Sequence, residues 1–336
     1  MKAVPLFLAV MPLLAAPKAE FIYDKAPFPS CHASTIVEIA PGELYAAWFG
    51  GTDEGEKDVA IWGARRKDGA WSPPVELVRE AEIPTWNPVL FFTRDKTLWL
   101  YYKFGPSPQT WTGGRIASRD GGKTWSEREH LPAGLYGPIR NKPLTLGDGT
   151  ILSGTSVESY GSWAVWVERS TDGGKTWTKH GPVTAEGTPR VFPVRPYGLI
   201  QPAIVTLPNK RLRMYLRATP QIGRVCYSDS SDGGRTWTPA KPTTLAHPNS
   251  GIDAVNLRDG RIVLVYNNTP KGRTPLNVAV SKDGDTWTEF HTLESEPGEY
   301  SYPAIIEDSA GNVHITYTWK RQKIRYVEIP KADLPK

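Results

Sequence analysis

Apolar and polar positions alternate along most of the chain, as in "WAVWVERS" (163–170) and "LNVAVS" (276–281). A period of two belongs to strands with one buried face, and no long window keeps the apolar stripe of a helix. Longer runs such as "AIVTLPNKRLRMYLRA" and "AVNLRDGRIVLVYNN" are broken at "LPNK" and "RDGR", whose Pro, Asn, Asp and Gly suit tight hairpins. The pattern predicts an all-β chain of short antiparallel strands.

One turn sequence recurs. "SRDGGKTW" (118–125), "STDGGKTW" (170–177) and "SSDGGRTW" (230–237) are full copies, "SKDGDTW" (281–287) is shortened, and "KDGAW" (67–71) is a fainter version. Their final tryptophans, Trp71, Trp125, Trp177, Trp237 and Trp287, stand 54, 52, 60 and 50 residues apart. Self-similarity at this period marks a propeller or related array, in which each repeat is a small sheet that cannot bury its faces alone. Four strands per repeat and six repeats account for the length. The expected architecture is a six-bladed β-propeller with four-stranded antiparallel blades, the last blade lacking the turn.

The turn explains itself without a ligand. Its aspartate can accept hydrogen bonds from backbone N–H groups ahead of it, its glycines supply positive φ, its threonine adds a hydroxyl, and its tryptophan covers neighbouring strands. Asp120, Asp172, Asp232 and Asp283, with Trp125, Trp177, Trp237 and Trp287, are therefore read as structural. The alternating oxygens and closing glutamate of an EF-hand loop are missing, so no metal or cofactor is expected.

Composition fits this picture: 31 Gly, 31 Pro and 13 Trp in 336 residues describe a turn-rich β protein with ample core material. The 40 basic and 35 acidic residues are interspersed, giving a net charge of +5 without the like-charge run of a nucleic-acid arm. A mildly basic surface favours the approach of an anionic substrate. The opening "MKAVPLFLAVMPLLAAPKA" joins Lys2, an apolar stretch and the small residues Ala15, Ala16 and Ala19, and reads as a signal peptide over 1–19 ahead of one domain over 20–336. A buried N-terminal strand is the alternative. That stretch is too short to span a bilayer and no later one is longer, so a secreted or periplasmic monomer without a membrane span is expected. For Cys31 and Cys226, a disulfide and two buried thiols are equally open.

The Ser-x-Asp-x-Gly-x-Thr-Trp turns resemble the Asp boxes of the sialidase (neuraminidase) superfamily, and the likeness runs along the whole chain after residue 19. What it implies is a glycoside hydrolase that holds a substrate carboxylate with three arginines and attacks with a tyrosine assisted by a glutamate and an acid/base aspartate. By this resemblance Arg217, in "IQPAIVTLPNKRLRMYLRA", and Arg273, in "NNTPKGRTPLNVAVSKDGDTW", are two of the arginines, and their planar donors suit a carboxylate. Tyr300 in "GEYSYPAII" takes the nucleophile's place, with Tyr302 competing; a tyrosine avoids setting another anion beside the substrate's own. Asp53 in "WFGGTDEGEKDVAIW" falls where the family carries its acid/base, with Glu54, Glu56 and Asp58 as rivals.

Two positions depart from the family. His32 stands where the first arginine is expected, as a cationic clamp, a general base or a packing residue. Gln201 stands where the activating glutamate is expected, and an amide cannot take a proton. His247, Asn249, Asn87 and Lys142, with Arg140 and Asn141, are further candidates for substrate contact.

The function expected is therefore a secreted exo-acting hydrolase that releases a terminal acidic sugar, such as sialic acid, with retention of configuration. The departures keep two others open: a uronate-directed lyase or glycosidase using His32, and a non-catalytic propeller that binds glycans.

Overall fold

The computed structural model describes residues 18–187 and 196–336. Among them are 25 strands and a single short 3-10 turn, Lys331–Asp333. No helix among them is long and apolar enough to cross a membrane. The chain is all-β, as the alternation predicts.

The strands follow one another in sets. The first holds Ser30–Ala40, Glu43–Gly51 and Ala60–Lys67, with Ala70–Trp71 and Val75–Val78 both paired to the third. The second holds Thr85–Phe92, Leu98–Phe104, Thr112–Ser118 and Glu129–His130. An eight-stranded sheet comes next. It consists of two antiparallel groups, one from Leu144 to Val183 and one from Tyr197 to Ala246, joined by the parallel pairs Ser162 with Tyr197 and Trp163 with Gly198. The next set runs from Asp253–Asn256 to Thr288–Glu294. The last has Tyr300–Glu307, Val313–Trp319 and Lys323–Ile329, and its outer strand is the N-terminal Lys18–Phe21. Residues 1–17 of the expected signal segment lie outside the described residues, whereas Lys18 and Ala19 pair with Glu328 and Val327.

Hydrophobic clusters lie between successive sets. Tyr45 and Phe49 of the first meet Leu98, Leu100 and Tyr102 of the second, and Val263 and Val278 meet Ile305 and Ile315 of the last. The last set in turn gives Ala304, Ile324 and Tyr326 to a cluster with Trp48 and Ile36 of the first. Cys31 and Cys226 are both free thiols in these interiors, and burial pushes each up to about 12.

The boxes clamp these interfaces. Asp120 accepts from Lys123 N at 3.0 Å, Thr124 N at 2.9 Å and Thr124 Oγ1 at 2.7 Å, while Ser118 Oγ accepts from Gly122 N. Asp172 and Asp232 repeat this geometry. Those bonds hold the box carboxylates well below their usual range, Asp283 at about 2. Each box leans on the preceding set: a Cβ on Gly122, which has φ +85°, would come within 2.5 Å of the Tyr45 ring. Arg115, Arg169 and Arg213 donate to the carbonyls of Gly174, Gly233 and Gly284 in the box of the following set.

Polar ties connect the first strands of the sets. Lys142 Nζ lies 2.8 Å from Asp253 Oδ2, which also accepts from Ile305 N at 2.9 Å. Asp253 is almost completely buried and joins three sets. Asp253→Ala is expected to cost about 3 to 5 kcal/mol, because it leaves a partly buried ammonium without its partner. A urea midpoint unchanged from the parent protein would overturn this. Because the box carboxylates titrate lower in the folded than in the unfolded chain, their stabilising effect is complete above about pH 4. It is lost as the pH falls toward about 2. Acid unfolding followed by tryptophan fluorescence should fall in that window.

Candidate functional site

Four first strands break their register at the same depth, between His32 and Thr35, Trp86 and Val89, Ile200 and Ala203, and Ser301 and Ala304. At each break a residue other than glycine has positive φ: Ala33 at 58°, Asn87 at 31°, Gln201 at 56° and Tyr302 at 53°. This is a strained region for side chains with a Cβ, and bulges of this kind re-aim side chains beside functional sites. Neighbours hold each one. Thr318 Oγ1 accepts from Ala33 N, Asn87 Nδ2 donates to Ile139 O, Asn141 Nδ2 donates to Gln201 O, and Arg140 Nη2 donates to Tyr302 O.

Tyr302 is the hub. Its hydroxyl lies 2.6 Å from Arg217 Nη1 and 3.2 Å from Gln201 Nε2, both donors, so the phenolic proton has neither as acceptor. The guanidinium carbons of Arg140, Arg217 and Arg273 lie 5.1, 5.6 and 5.8 Å from its ring centre. The His32 ring packs against it at 4.0 Å between centres.

The charges around this hub are unevenly matched. Arg273 and Arg321 share one carboxylate, Glu299, each at 2.6 Å, and Arg321 Nη1 reaches Glu54 at 2.5 Å. Although burial opposes it, these two arginines hold Glu299 below the ordinary glutamate range. Asn267 Nδ2 fixes the loop by donating to Arg273 O and Tyr300 O. Arg217 is buried, and its hydrogen bonds go to neutral groups: Asn249 Oδ1 at 2.7 Å, Gln201 Oε1 and Tyr302. A buried guanidinium with neutral partners is a ready receptor for an anion. Glu158 ends its strand on the same side. Burial raises its carboxyl above the usual range, and Arg217 and Glu54 are the charges that act on it.

Several sequence expectations change. Tyr300 lies in a hydrophobic cluster with Val265, Leu276 and Ile315, and its phenol is pushed up by burial and by Glu294 and Glu296. Strand alternation alone would set Tyr300 and Tyr302 on one face; the bulge separates them, and Tyr302 joins the arginines. His32 is no cationic clamp: burial first, then Arg321, Arg273, Arg140 and Arg217, holds its imidazole neutral, with Nδ1 2.9 Å from Thr318 Oγ1. Lys142 is engaged by Asp253 and Ala254 O, and Asn87 by Ile139 O, so both tie strands together. His247 is buried, is lowered to about 3 by burial, and accepts from Ser250 N beside Asn249. Asp53 is exposed, and its carboxylate accepts from Glu54 N and Ser30 Oγ.

Arg321 and Glu158 were not singled out from the sequence. Arg321 sits in the three-residue turn between Val313–Trp319 and Lys323–Ile329 with φ 59°, and no motif marks it. Glu158 could have been suspected only as an acid at the end of an apolar strand. Among the described residues, no three His, Cys, Asp or Glu side chains gather as a metal site.

Asp-box sheets with a tyrosine among arginines at their bulged first strands define a divergent protein of the sialidase superfamily. Within it the chain belongs to the BNR repeat-like domain family, whose model matches residues 42–315. A sialidase of Bacteroides fragilis (strain YCH46) is 28% identical over 213 residues, 56% of this chain and 36% of that protein, so the match spans about a third of that relative. Among solved structures, a protein of unknown function from Dyadobacter fermentans DSM 18053 superposes with a TM-score of 0.76 at 19% identity, covering 92% of this chain and 97% of the other. The NanB sialidase of Streptococcus pneumoniae gives 0.75 at 13%, covering 94% and 71%. A leech intramolecular trans-sialidase gives 0.72 at 13%, covering 95% and 71%. At such identities these likenesses speak for the fold.

The neutral imidazoles carry a pH signature. A histidine whose folded value is depressed binds its proton more readily in the unfolded chain, so its contribution is complete above about pH 6.5 and fades as pH falls toward the folded value. For His247 that value is about 3. Urea unfolding of the parent should lose more stability between pH 6 and pH 4 than His247→Gln does, by about 1.4 kcal/mol per pH unit. Parallel slopes would show that His247 is not held neutral.

Proposed function

We propose that this chain is a secreted glycoside hydrolase of the sialidase type, built as a six-bladed β-propeller, that removes a terminal acidic sugar. The observation that carries the reading is Arg217: a buried cation bonded to Asn249, Gln201 and Tyr302, all neutral, and touching the hub tyrosine. The blade count is supported by the repeated turns and by dividing the eight-stranded sheet at its two-pair parallel junction. The segment 1–19 is assigned as the export signal on its composition.

In this reading Arg217, Arg273 and Arg321 surround the substrate carboxylate, Arg321 supplying the charge that His32 lacks. Tyr302 Oη attacks the anomeric carbon after releasing its proton to the solvent side, while the donors Arg217 Nη1 and Gln201 Nε2 converge on the oxygen and offset its negative charge. The bond from the anomeric carbon to the leaving oxygen breaks as that oxygen gains a proton. Burial raises the Glu158 carboxyl above its usual range and Asp53 is exposed, so the proton donor is assigned to Glu158 in preference to Asp53. Water then cleaves the tyrosyl glycoside, giving a proton to the departing Tyr302 oxygen as it bonds to the anomeric carbon, and a second inversion restores the starting configuration.

Tyr302→Phe should lower kcat on an aryl sialoside by about a thousandfold or more, since the reacting oxygen is gone while the packing ring stays. Parent-level turnover by that variant would end the nucleophile assignment. Glu158→Gln should lower kcat about 100-fold or more on a sugar leaving group and far less on a nitrophenyl one, which departs without a proton. Asp53→Asn showing that split while Glu158→Gln does not would move the acid to Asp53.

A second reading has one observation in its favour: His32 is neutral, lies against the Tyr302 ring, and its Nε2 has no hydrogen-bond partner. A base there beside a neutralised uronate would carry out elimination. An unsaturated, ultraviolet-absorbing product from uronate oligosaccharides would favour that route over hydrolysis.

A further inference from the structure

Arg321 divides its donors between two carboxylates. Nε lies 2.6 Å from Glu299 Oε1 and Nη1 lies 2.5 Å from Glu54 Oε2, while Nη2 makes no hydrogen bond among the described residues. The two carboxylates are held very differently. Glu299 Oε1 also accepts from Arg273 Nη1 at 2.6 Å and Ser301 Oγ at 3.1 Å, and the Glu299 carbonyl accepts from Lys320 N. The Glu54 carboxylate has Arg321 as its one hydrogen-bond partner among the described residues. It also lies near a like group: burial raises the Glu158 carboxyl, and the charge of Glu54 raises it further.

The loop beneath Glu54 is closed by its own bonds. The Asp58 carboxylate accepts from Thr52 N and Thr52 Oγ1, Glu56 N donates to Asp53 O, and a Cβ on Gly55, which has φ +91°, would come within 3.3 Å of the Trp86 ring. Glu54 therefore leaves Arg321 by turning about its own side-chain bonds, with the backbone in place. Arg321 stays where it is, because Glu299 keeps its Nε and Cys31 N donates to its carbonyl.

We propose that Glu54 is a resident anion on Arg321, which an acidic ligand displaces as it binds. The inference rests on the hydrolase reading above, in which Arg321 helps to hold the substrate carboxylate, and it adds a selective step to that site. A carboxylate is gripped best by two parallel donors along one edge of a guanidinium. Glu299 takes the Nε end of Arg321, so the edge open to a ligand is Nη1 with Nη2, and Glu54 occupies half of it. Exchanging one carboxylate for another on that edge keeps the charge balance, whereas a neutral ligand would break an ion pair and put nothing in its place. The pair is partly exposed, at 29% for Arg321 and 34% for Glu54, and bridges so placed are weak. An anion already gathered by Arg217 and Arg273 thus turns Glu54 out, and a neutral sugar leaves it seated.

The test measures binding of free sialic acid by calorimetry, with a double-mutant cycle. Glu54→Gln should lower Kd about fivefold, because the amide no longer competes as an anion for Arg321. In an Arg321→Gln background the same change should leave Kd within about twofold, since the competition runs through that guanidinium. An unchanged or weaker affinity in Glu54→Gln would overturn the proposal, and so would equal tightening in both backgrounds, which would mark Glu54 as a general repulsive charge. If neither the parent nor Glu54→Gln binds sialic acid, the acidic-sugar reading fails for that sugar, and the same cycle with galacturonate decides the displacement: tightening that depends on Arg321 upholds it, and any other result, absence of binding included, refutes it.

Discussion

Arg140 holds the centre together. Its guanidinium is buried, donates to the carbonyls of Tyr302 and Pro303 from a segment more than 160 residues earlier in the chain, and has no carboxylate within hydrogen-bond reach. Burial lowers it to about 10, so the protein bears a desolvation cost for keeping a cation there. The bulges show why. Four non-glycine residues in left-handed conformations cost on the order of 1 to 3 kcal/mol each and persist only where neighbours leave no alternative. Arg140 and Asn141 close two of the four, at Tyr302 and Gln201. Their own segment is gripped in turn by Lys103, donating to Pro138 O, and by Glu168, accepting from Tyr136 N and Gly137 N. Lys103 and Glu168 are themselves buried. The strain that turns Tyr302 toward the arginines is thus carried by buried charge, one layer behind another.

The site shows the same exchange of stability for readiness. Elsewhere the chain pairs its buried arginines closely, as Arg213 with Asp229 in two bonds of 2.7 and 2.9 Å. Around Tyr302 it does not: Glu299 serves two arginines, and Arg217 has neutral partners. A carboxylate in the place of Gln201 would satisfy Arg217 in the empty protein and compete with any anionic ligand for it. Natural proteins keep such locally unfavourable arrangements where function needs them.

The fold was legible because its signals are local. Each Asp box contains its own donors, acceptor and turn glycines within eight residues, and the strand period needs only the neighbouring positions. The first strands were harder to read, because a bulge overturns the rule by which side chains are assigned to faces. Parity sets Tyr300 and Tyr302 together, whereas a positive φ at Tyr302 sends one to the core and the other to the arginines. Lys142 resembled a substrate cation until Asp253, from a distant repeat, proved to be its partner. Arg321 was invisible for the converse reason: it reaches the site from the far end of the chain through a turn that carries no motif.

These non-local additions bear on the two positions that depart from the family. Placing His32 where an arginine is expected removes one positive charge, and placing Gln201 where a glutamate is expected removes one negative charge. The pair of changes leaves the local balance where it was. Arg321 and Glu158 place a guanidinium and a carboxyl at positions more exposed than His32 or Gln201. The consequence is a site in which Arg140, Arg217 and Arg273 surround Tyr302 with an amide, not a carboxylate, at position 201. Such a centre can hold Tyr302 between donors without an internal carboxylate to quench them.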